Sequence, residues 1–171
     1  MRKIFYILTI ILLKFNFAYG LIEVDITRGN LDPLPIAVSP LHVDVQSDNY
    51  QDTKVKGLGD LISSVVEKNF RSTGLFNPLN KDAFVQKPDI AHLKPRFEDW
   101  SLITAQALVT GKILIKNQKL KVEFRLWDVA ANKEMIALAF TTTPTNWRRV
   151  AHIISDKIYE RLTGETGYFD T

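Results

Sequence analysis

Few residues in this chain could do acid–base or metal chemistry, and they are scattered. The three histidines stand far apart, at positions 42, 92 and 152. A general base must lie within hydrogen-bond reach of the proton it takes, and no spacing here sets a histidine beside a nucleophile. His42 and Asp44 could share a metal, but two ligands of ordinary spacing are a weak signal where a structural zinc takes four. His92 stands alone in an irregular stretch and reads as a surface residue. His152 falls beside an apolar stripe and reads as a packed or edge residue. No carboxylate pair is set off from ordinary surface charge. Gly57-Leu58-Gly59 lacks the third glycine and the Lys-Ser/Thr of a phosphate-binding loop, so it reads as glycines that begin a helix. A Gly-x-Ser-x-Gly nucleophile turn is absent. With no cysteine in the chain, disulfides, thiolate catalysis, cysteine metal sites and a lipid-modified amino-terminal Cys are excluded. The expectation is a non-enzymatic protein with no catalytic residue, cofactor or metal.

The remaining chemistry is that of the backbone itself. From Leu21 to Thr27 the chain alternates, with Ile22, Val24 and Ile26 against Glu23, Asp25 and Thr27. Such alternation marks a half-buried strand. Gly29, Asn30 and Asp32, then Pro33 and Pro35, cut this strand off from the rest of the chain. It is either an edge strand of the chain's own sheet or an arm offered to the sheet edge of another protein, where main-chain bonds give affinity and side-chain pockets give specificity. On the second reading the partner-binding residues are Leu21, Ile22, Glu23, Val24, Asp25, Ile26 and Thr27.

Ahead of the arm lies a leader. Arg2 and Lys3 precede an apolar run from Ile4 to Leu13, and Ala18 and Gly20 place small residues before a cut after Gly20. That is the pattern of a secretory signal peptide over residues 1–20. The run is too short to cross a bilayer, which takes about 20 residues. Cleavage changes the charge balance. The precursor has 22 Lys+Arg against 19 Asp+Glu, and removal of Arg2, Lys3 and Lys14 leaves 19 of each, a formal net charge of 0. A neutral mature chain lacks the electrostatic footprint of a nucleic-acid binder.

Several elements must carry the arm. Pro35–Pro40 encloses a buried strand at Ile36, Ala37 and Val38, which Leu41 and Val43 extend; residues 44–56 are a polar loop. A helix is expected from Gly59 to Ser72, with Leu58, Leu61, Ile62, Val65, Val66, Asn69 and Phe70 on its stripe and Gly74 as its cap. A short strand from Leu75 to Leu79 then makes a parallel crossover with the first. Residues 82–94 are irregular, and a short helix fits Phe97–Thr104. Three antiparallel strands come next, at Ala107–Ile115 (with Gly111 as a bulge), Leu120–Asp128 and Met135–Thr142. Leu120, Val122, Phe124 and Leu126 point inward, as do Ile136, Leu138 and Phe140. The last helix, Pro144–Leu162, carries Trp147, Val150, Ala151, Ile154, Ile158 and Leu162 at helical spacing, with Thr143 as amino cap and Gly164 as terminator. It cannot hide that stripe alone, so a sheet lies beneath it. The expected fold is α+β, a two-layer mixed sheet of about five strands with two main helices.

Several stretches resemble the amino-terminal domain of the TolB family, the periplasmic component of the Tol–Pal cell-envelope system. They are Ile22-Glu23-Val24-Asp25-Ile26-Thr27 with Gly29, Arg71 through Leu79, Trp100 followed by Ala107-Leu108-Val109-Thr110-Gly111, and Arg161 through Phe169. The resemblance implies an anticodon-binding-like mixed sheet and a periplasmic, protein-binding role in outer-membrane integrity and envelope constriction at cell division. It also implies that the amino-terminal segment binds the periplasmic carboxyl-terminal domain of TolA. The family continues into a six-bladed propeller, on which it places Pal binding. No blade-length repeat occurs here, so Pal is not carried over, and a fragment, split gene or truncated chain is expected. The expected division is signal peptide 1–20, arm or strand 21–34, α/β domain 35–164 and the start of a linker at 165–171. Two further readings remain, a nucleic-acid-binding module on the same fold and an envelope enzyme.

Overall fold

A computed structural model describes residues 21–24, 32–45, 57–117 and 119–170 of the chain. The expected leader, residues 25–31 of the arm and its joint, and residues 46–56 of the expected polar loop lie outside the described residues; Asp44 and Val45, expected in that loop, belong to a strand instead.

Among the described residues six strands form one mixed sheet: β1 (Leu34–Val38), β2 (His42–Val45), β3 (Phe76–Pro78), β4 (Ala107–Lys116), β5 (Lys119–Asp128) and β6 (Lys133–Thr142). The spatial order is β3-β1-β4-β5-β6, with β2 also on β4. β1 runs parallel to β3 and β4, and β4, β5 and β6 form the expected antiparallel meander. Leu41 and Val43 do not simply extend β1. Val38 pairs with Val109 but His42 pairs with Lys112. The first lane thus spends one residue more than β4 over the same span, and the surplus falls at Ser39–Leu41. Gly111 is not a bulge, since β4 and β5 stay in register from Ala107 to Lys116. Its missing side chain has another cause: a Cβ there would stand 2.2 Å from the Glu123 carbonyl oxygen. The irregularity of the meander lies instead between β5 and β6, where Leu126 faces Ile136 but Trp127 faces Glu134.

Two helices cover one face of the sheet, α1 (Leu58–Thr73) before β3 and α4 (Trp147–Thr163) at the end. Leu58, Ile62, Val66 and Phe70 of α1 are buried with Val150, Ala151, Ile154, Ile158 and Leu162 of α4 against Ile113, Ile115, Leu120, Val122, Phe124 and Leu126. Gly74 and Gly164 end the two helices in the left-handed region, at φ 70° and 77°. Leu61, placed on the stripe by spacing, is 45% exposed. The buried row repeats every fourth residue from Leu58 to Phe70 and turns Leu61 outward. Leu138 shares a face with Phe124 but is 38% exposed, because β6 is the outermost strand and the helical layer covers it incompletely. The last helix also starts later than expected. Pro144–Asn146 is a 3-10 turn closed by Asn146 N–H on the Thr143 carbonyl, and the Thr143 hydroxyl meets Thr145 rather than the helix.

Among the described residues the opposite face is covered at one end only. Between β3 and β4 the chain forms a strap carrying α2 (Pro88–Ala91) and α3 (Phe97–Leu102). Trp100, Ala91 and Ala105 pack there on Ala37, Leu108 and Val129. Buried Gln86 holds the strap together: its side-chain oxygen accepts from Arg96 N–H and Trp100 Nε1, and its amide donates to the Lys94 carbonyl.

Candidate functional site

The described part of the arm lies on the chain's own domain. Val24 N–H donates to the Leu162 carbonyl at 2.6 Å, and Ile22 N–H to Asp128 Oδ2 at 3.0 Å. Leu162 belongs to the last turn of α4, whose carbonyls have no partner within the helix. The arm therefore completes the helix end. Val24 is buried and Ile22 half-buried against the main core, while Glu23 is exposed. This is the inward and outward alternation expected of the segment. The expected strand itself is absent over 21–24, because the peptide groups are taken by a helix end and a carboxylate rather than by a neighbouring strand. Asp25, Ile26 and Thr27 lie outside the described residues.

Asp128 is the pivot of this arrangement. It is 1% exposed, and while Oδ2 holds the arm, Oδ1 accepts Ala131 N–H at 2.9 Å in the turn between β5 and β6. Spacing marks Asp128 only as the end of a strand; a turn-forming Asp before Ala130 is the single sign that its carboxylate is engaged. Beside the arm an open hollow is lined by Glu23, Ile136, Lys157, Glu160, Arg161 and Gly164.

The segment that leaves α4 is also fixed. Both oxygens of Asp156 accept backbone N–H groups, Oδ1 from Phe169 at 2.7 Å and Oδ2 from Asp170 at 3.0 Å. Gly167 lies against Asp156 so closely that a Cβ would stand 2.4 Å from the Asp156 Cα. Tyr159 meets Tyr168 and Phe169 edge-to-face, Tyr168 and Phe169 lie tilted against each other, and Arg149 pairs with Asp170.

His152 is packed as expected, and His92 departs from expectation. His92 is not alone: its ring stacks on His42 with centroids 4.5 Å apart and planes 5° from parallel. Its Nδ1 lies 2.9 Å from the Pro88 carbonyl, so Nδ1 carries the proton, and its own carbonyl accepts from Arg125. The pair joins β2 to the strap across the uncovered face. Among the described residues no group of three or more His, Cys, Asp or Glu could hold a metal. His152 packs at the seam of the two helices, where Asn69 Nδ2 meets its Nδ1 at 3.0 Å and Ser155 Oγ at 2.9 Å. Gly57 and Gly59 flank the first residue of α1, and a Cβ on Gly59 would stand 2.0 Å from the Leu41 carbonyl oxygen. Its bare backbone permits the close approach of helix and strand lane. Trp127 is no stacking platform for a base: its Nε1 donates to Thr110 and its ring packs edge-on to Phe97. No helix among the described residues is long and apolar enough to cross a membrane.

Comparison with known proteins bears on the fold and the family. The family model described as the TolB amino-terminal domain matches residues 22–135. The Tol-Pal system protein TolB of Pelagibacter ubique (strain HTCC1062) is 65% identical over the whole of this chain. The chain spans 38% of that relative's length. Among solved structures, TolB from Acinetobacter baumannii superposes with a TM-score of 0.61 at 22% identity, covering 81% of this chain and 30% of that one. At that identity the likeness shows the mixed α/β fold.

Proposed function

The chain belongs to the TolB family, and from that membership we propose that it serves the Tol–Pal system of the cell envelope as a non-enzymatic protein-binding module, with residues 21–27 as the partner-binding arm. The partner is the periplasmic carboxyl-terminal domain of TolA, which takes the arm as an added strand. Ile22, Val24 and Ile26 fill pockets, Glu23 and Asp25 set specificity, and main-chain bonds supply much of the affinity. The function served is outer-membrane integrity and envelope constriction during division. Residues 35–164 act as the platform that holds the arm when it is unbound.

The observation that carries this reading is the way residues 21–24 are held. Two N–H bonds, one to a helix end and one to the Asp128 carboxylate, dock residues 21–24 outside any sheet. A segment so held exchanges one set of backbone partners for another when it leaves. Docked and released arms form a two-state equilibrium that the partner draws toward release.

Asp128→Ala tests the competition. A hydrogen bond to a charged group contributes about 1.5–3 kcal/mol, so the variant should lose stability in that range. It should also bind the TolA domain roughly tenfold more tightly, since about 1.4 kcal/mol of lost docking corresponds to a factor of ten. Asp128→Asn, which keeps one carbonyl acceptor, should fall between. A variant less stable than the parent that binds no more tightly sinks the competition. Export is tested separately. Cleavage after Gly20 should yield a periplasmic protein whose amino-terminal sequence starts at Leu21, and residues 1–20 retained in a membrane fraction would contradict this.

A further inference from the structure

The end of the sheet that no described residue covers carries a second surface, remote in sequence from the arm. The strap closes the outer face only around Trp100 and Leu108. Beyond it, alternation places Lys112, Leu114 and Lys116 of β4 on that face, with Lys119, Lys121, Glu123 and Arg125 of β5 beside them. Two hollows adjoin there. One, of about 280 Å³, is lined by Leu114, Lys116, Asn117, Lys119, Lys121 and Thr141. The other, of about 190 Å³, is floored by Gly111, Ala137 and Ala139 and flanked by His92, Lys112 and Arg125.

The charges here are unevenly satisfied. Glu123 is shared by Lys121 at 2.7 Å and Lys112 at 3.4 Å, and Arg125 pairs with Glu134 at 3.0 Å. The hydrogen bond from Lys121, with Lys112 close by, holds the Glu123 carboxyl below its ordinary range. Asp44 stands in the neighbouring lane, opposite Leu114. Lys116 and Lys119 face each other directly across the strands, and no carboxylate among the described residues pairs with either. Like charges directly opposite one another on a sheet destabilise it. An anion between these two ammonium groups removes that cost.

We propose that this trough is a docking surface for an extended acidic segment of a partner protein, read by Lys116, Lys119 and Lys121. Alternate side chains of an extended chain repeat at about 6.6–6.8 Å, the spacing at which Lys119 and Lys121 stand on β5. Acidic residues at every second position of such a segment therefore meet the lysines in step, while the intervening side chains lie over Leu114, Thr141 and the alanine floor. The recessed floor favours a polypeptide over a lipid surface. Lipid adsorption uses apolar or aromatic side chains that enter the headgroup layer, and the β4–β5 turn offers Asn117 instead.

A fluorescein-labelled peptide of alternating Glu and Ser tests the surface by anisotropy against the purified chain. Saturable binding is expected in roughly 50 mM salt, weakening in roughly 300 mM as screening shortens the reach of the lysines. Lys116→Glu with Lys119→Glu should weaken it by about tenfold or more, without lowering the melting temperature. Lys87→Glu with Lys94→Glu makes the same change in net charge on the strap and should shift the affinity by no more than about twofold. Equal losses in the two double variants, or no saturable binding, would overturn the proposal. So would failure with the peptide alongside lysine-dependent binding to phosphatidylcholine vesicles carrying roughly 30% phosphatidylglycerol, which assigns the surface to a membrane. Deleting Leu21–Thr27 should leave peptide binding unchanged.

Discussion

Deleting Leu21–Thr27 should abolish binding to the TolA domain and leave a folded protein with a single cooperative transition. The arm contributes Val24 to the core and part of Ile22. Burying a side chain of that kind contributes about 1.5–3 kcal/mol, and the bond to buried Asp128 about 1.5–3 kcal/mol more, so the deletion should cost roughly 3–6 kcal/mol. For a domain of this size that lowers the melting midpoint by roughly 6–24 °C. The remaining core, in which Ile113, Ile115, Leu120, Val122, Ile154 and Ile158 are all at most 1% exposed, does not need the arm to form. Two outcomes discriminate. A deletion that unfolds the domain makes residues 21–27 an integral element of the fold. A folded deletion that still binds TolA refutes the arm.

Ile154→Ala should lower the unfolding free energy by about 2–5 kcal/mol, the cost of a cavity at a buried aliphatic position. Ile154 is 1% exposed and sits between Val150 and Ile158 on the row that faces the sheet. The midpoint should fall by roughly 4–20 °C as one transition, with the sheet and α4 lost together. Leu61→Ala is the internal control. Leu61 occupies a stripe position by spacing but is 45% exposed, and its loss should cost well under half as much. Equal costs at the two positions would mean that α4 does not close the core.

The contrast between Ile154 and Leu61 shows what the chain declares in its own order. Long periodic elements are legible because their side chains meet one large, continuous surface. Leu120, Val122, Phe124 and Leu126 alternate over ten residues of β5, and Val150 through Leu162 repeat along four turns of α4. Spacing gives the width of a stripe but not the angle at which the sheet meets it, so it misplaces Leu61. The second core is not legible for a different reason. α2 and α3 span only four and six residues, too few to show a period, and Gln86 organises them through bonds to Lys94, Arg96 and Trp100. The stacked pair His42 and His92 depends on the chain between them folding back, which no local pattern records.

The candidate site divides in the same way. Alternation over residues 21–27 gives the faces of Ile22, Glu23 and Val24 correctly, though not the strand it predicts over 21–24. Where the arm rests depends on Asp128, more than a hundred residues away, and on the carbonyl left open at the end of α4. A buried carboxylate that satisfies two backbone N–H groups looks, in sequence, like any aspartate before a turn. The lysine trough is visible in sequence only as the solvated face of β5. Its imbalance emerges from register, which sets Lys116 against Lys119.

The most direct test of the arm as the partner-binding element is competition by a synthetic peptide of residues 21–27, Leu-Ile-Glu-Val-Asp-Ile-Thr. Labelled TolA carboxyl-terminal domain is first saturated with the chain, and the peptide is titrated in while the bound fraction is followed. The peptide should displace the chain completely, and its affinity should match or exceed that of the chain, because it has no docked state to leave. A chain that stays bound at peptide concentrations saturating the TolA domain would contradict the account.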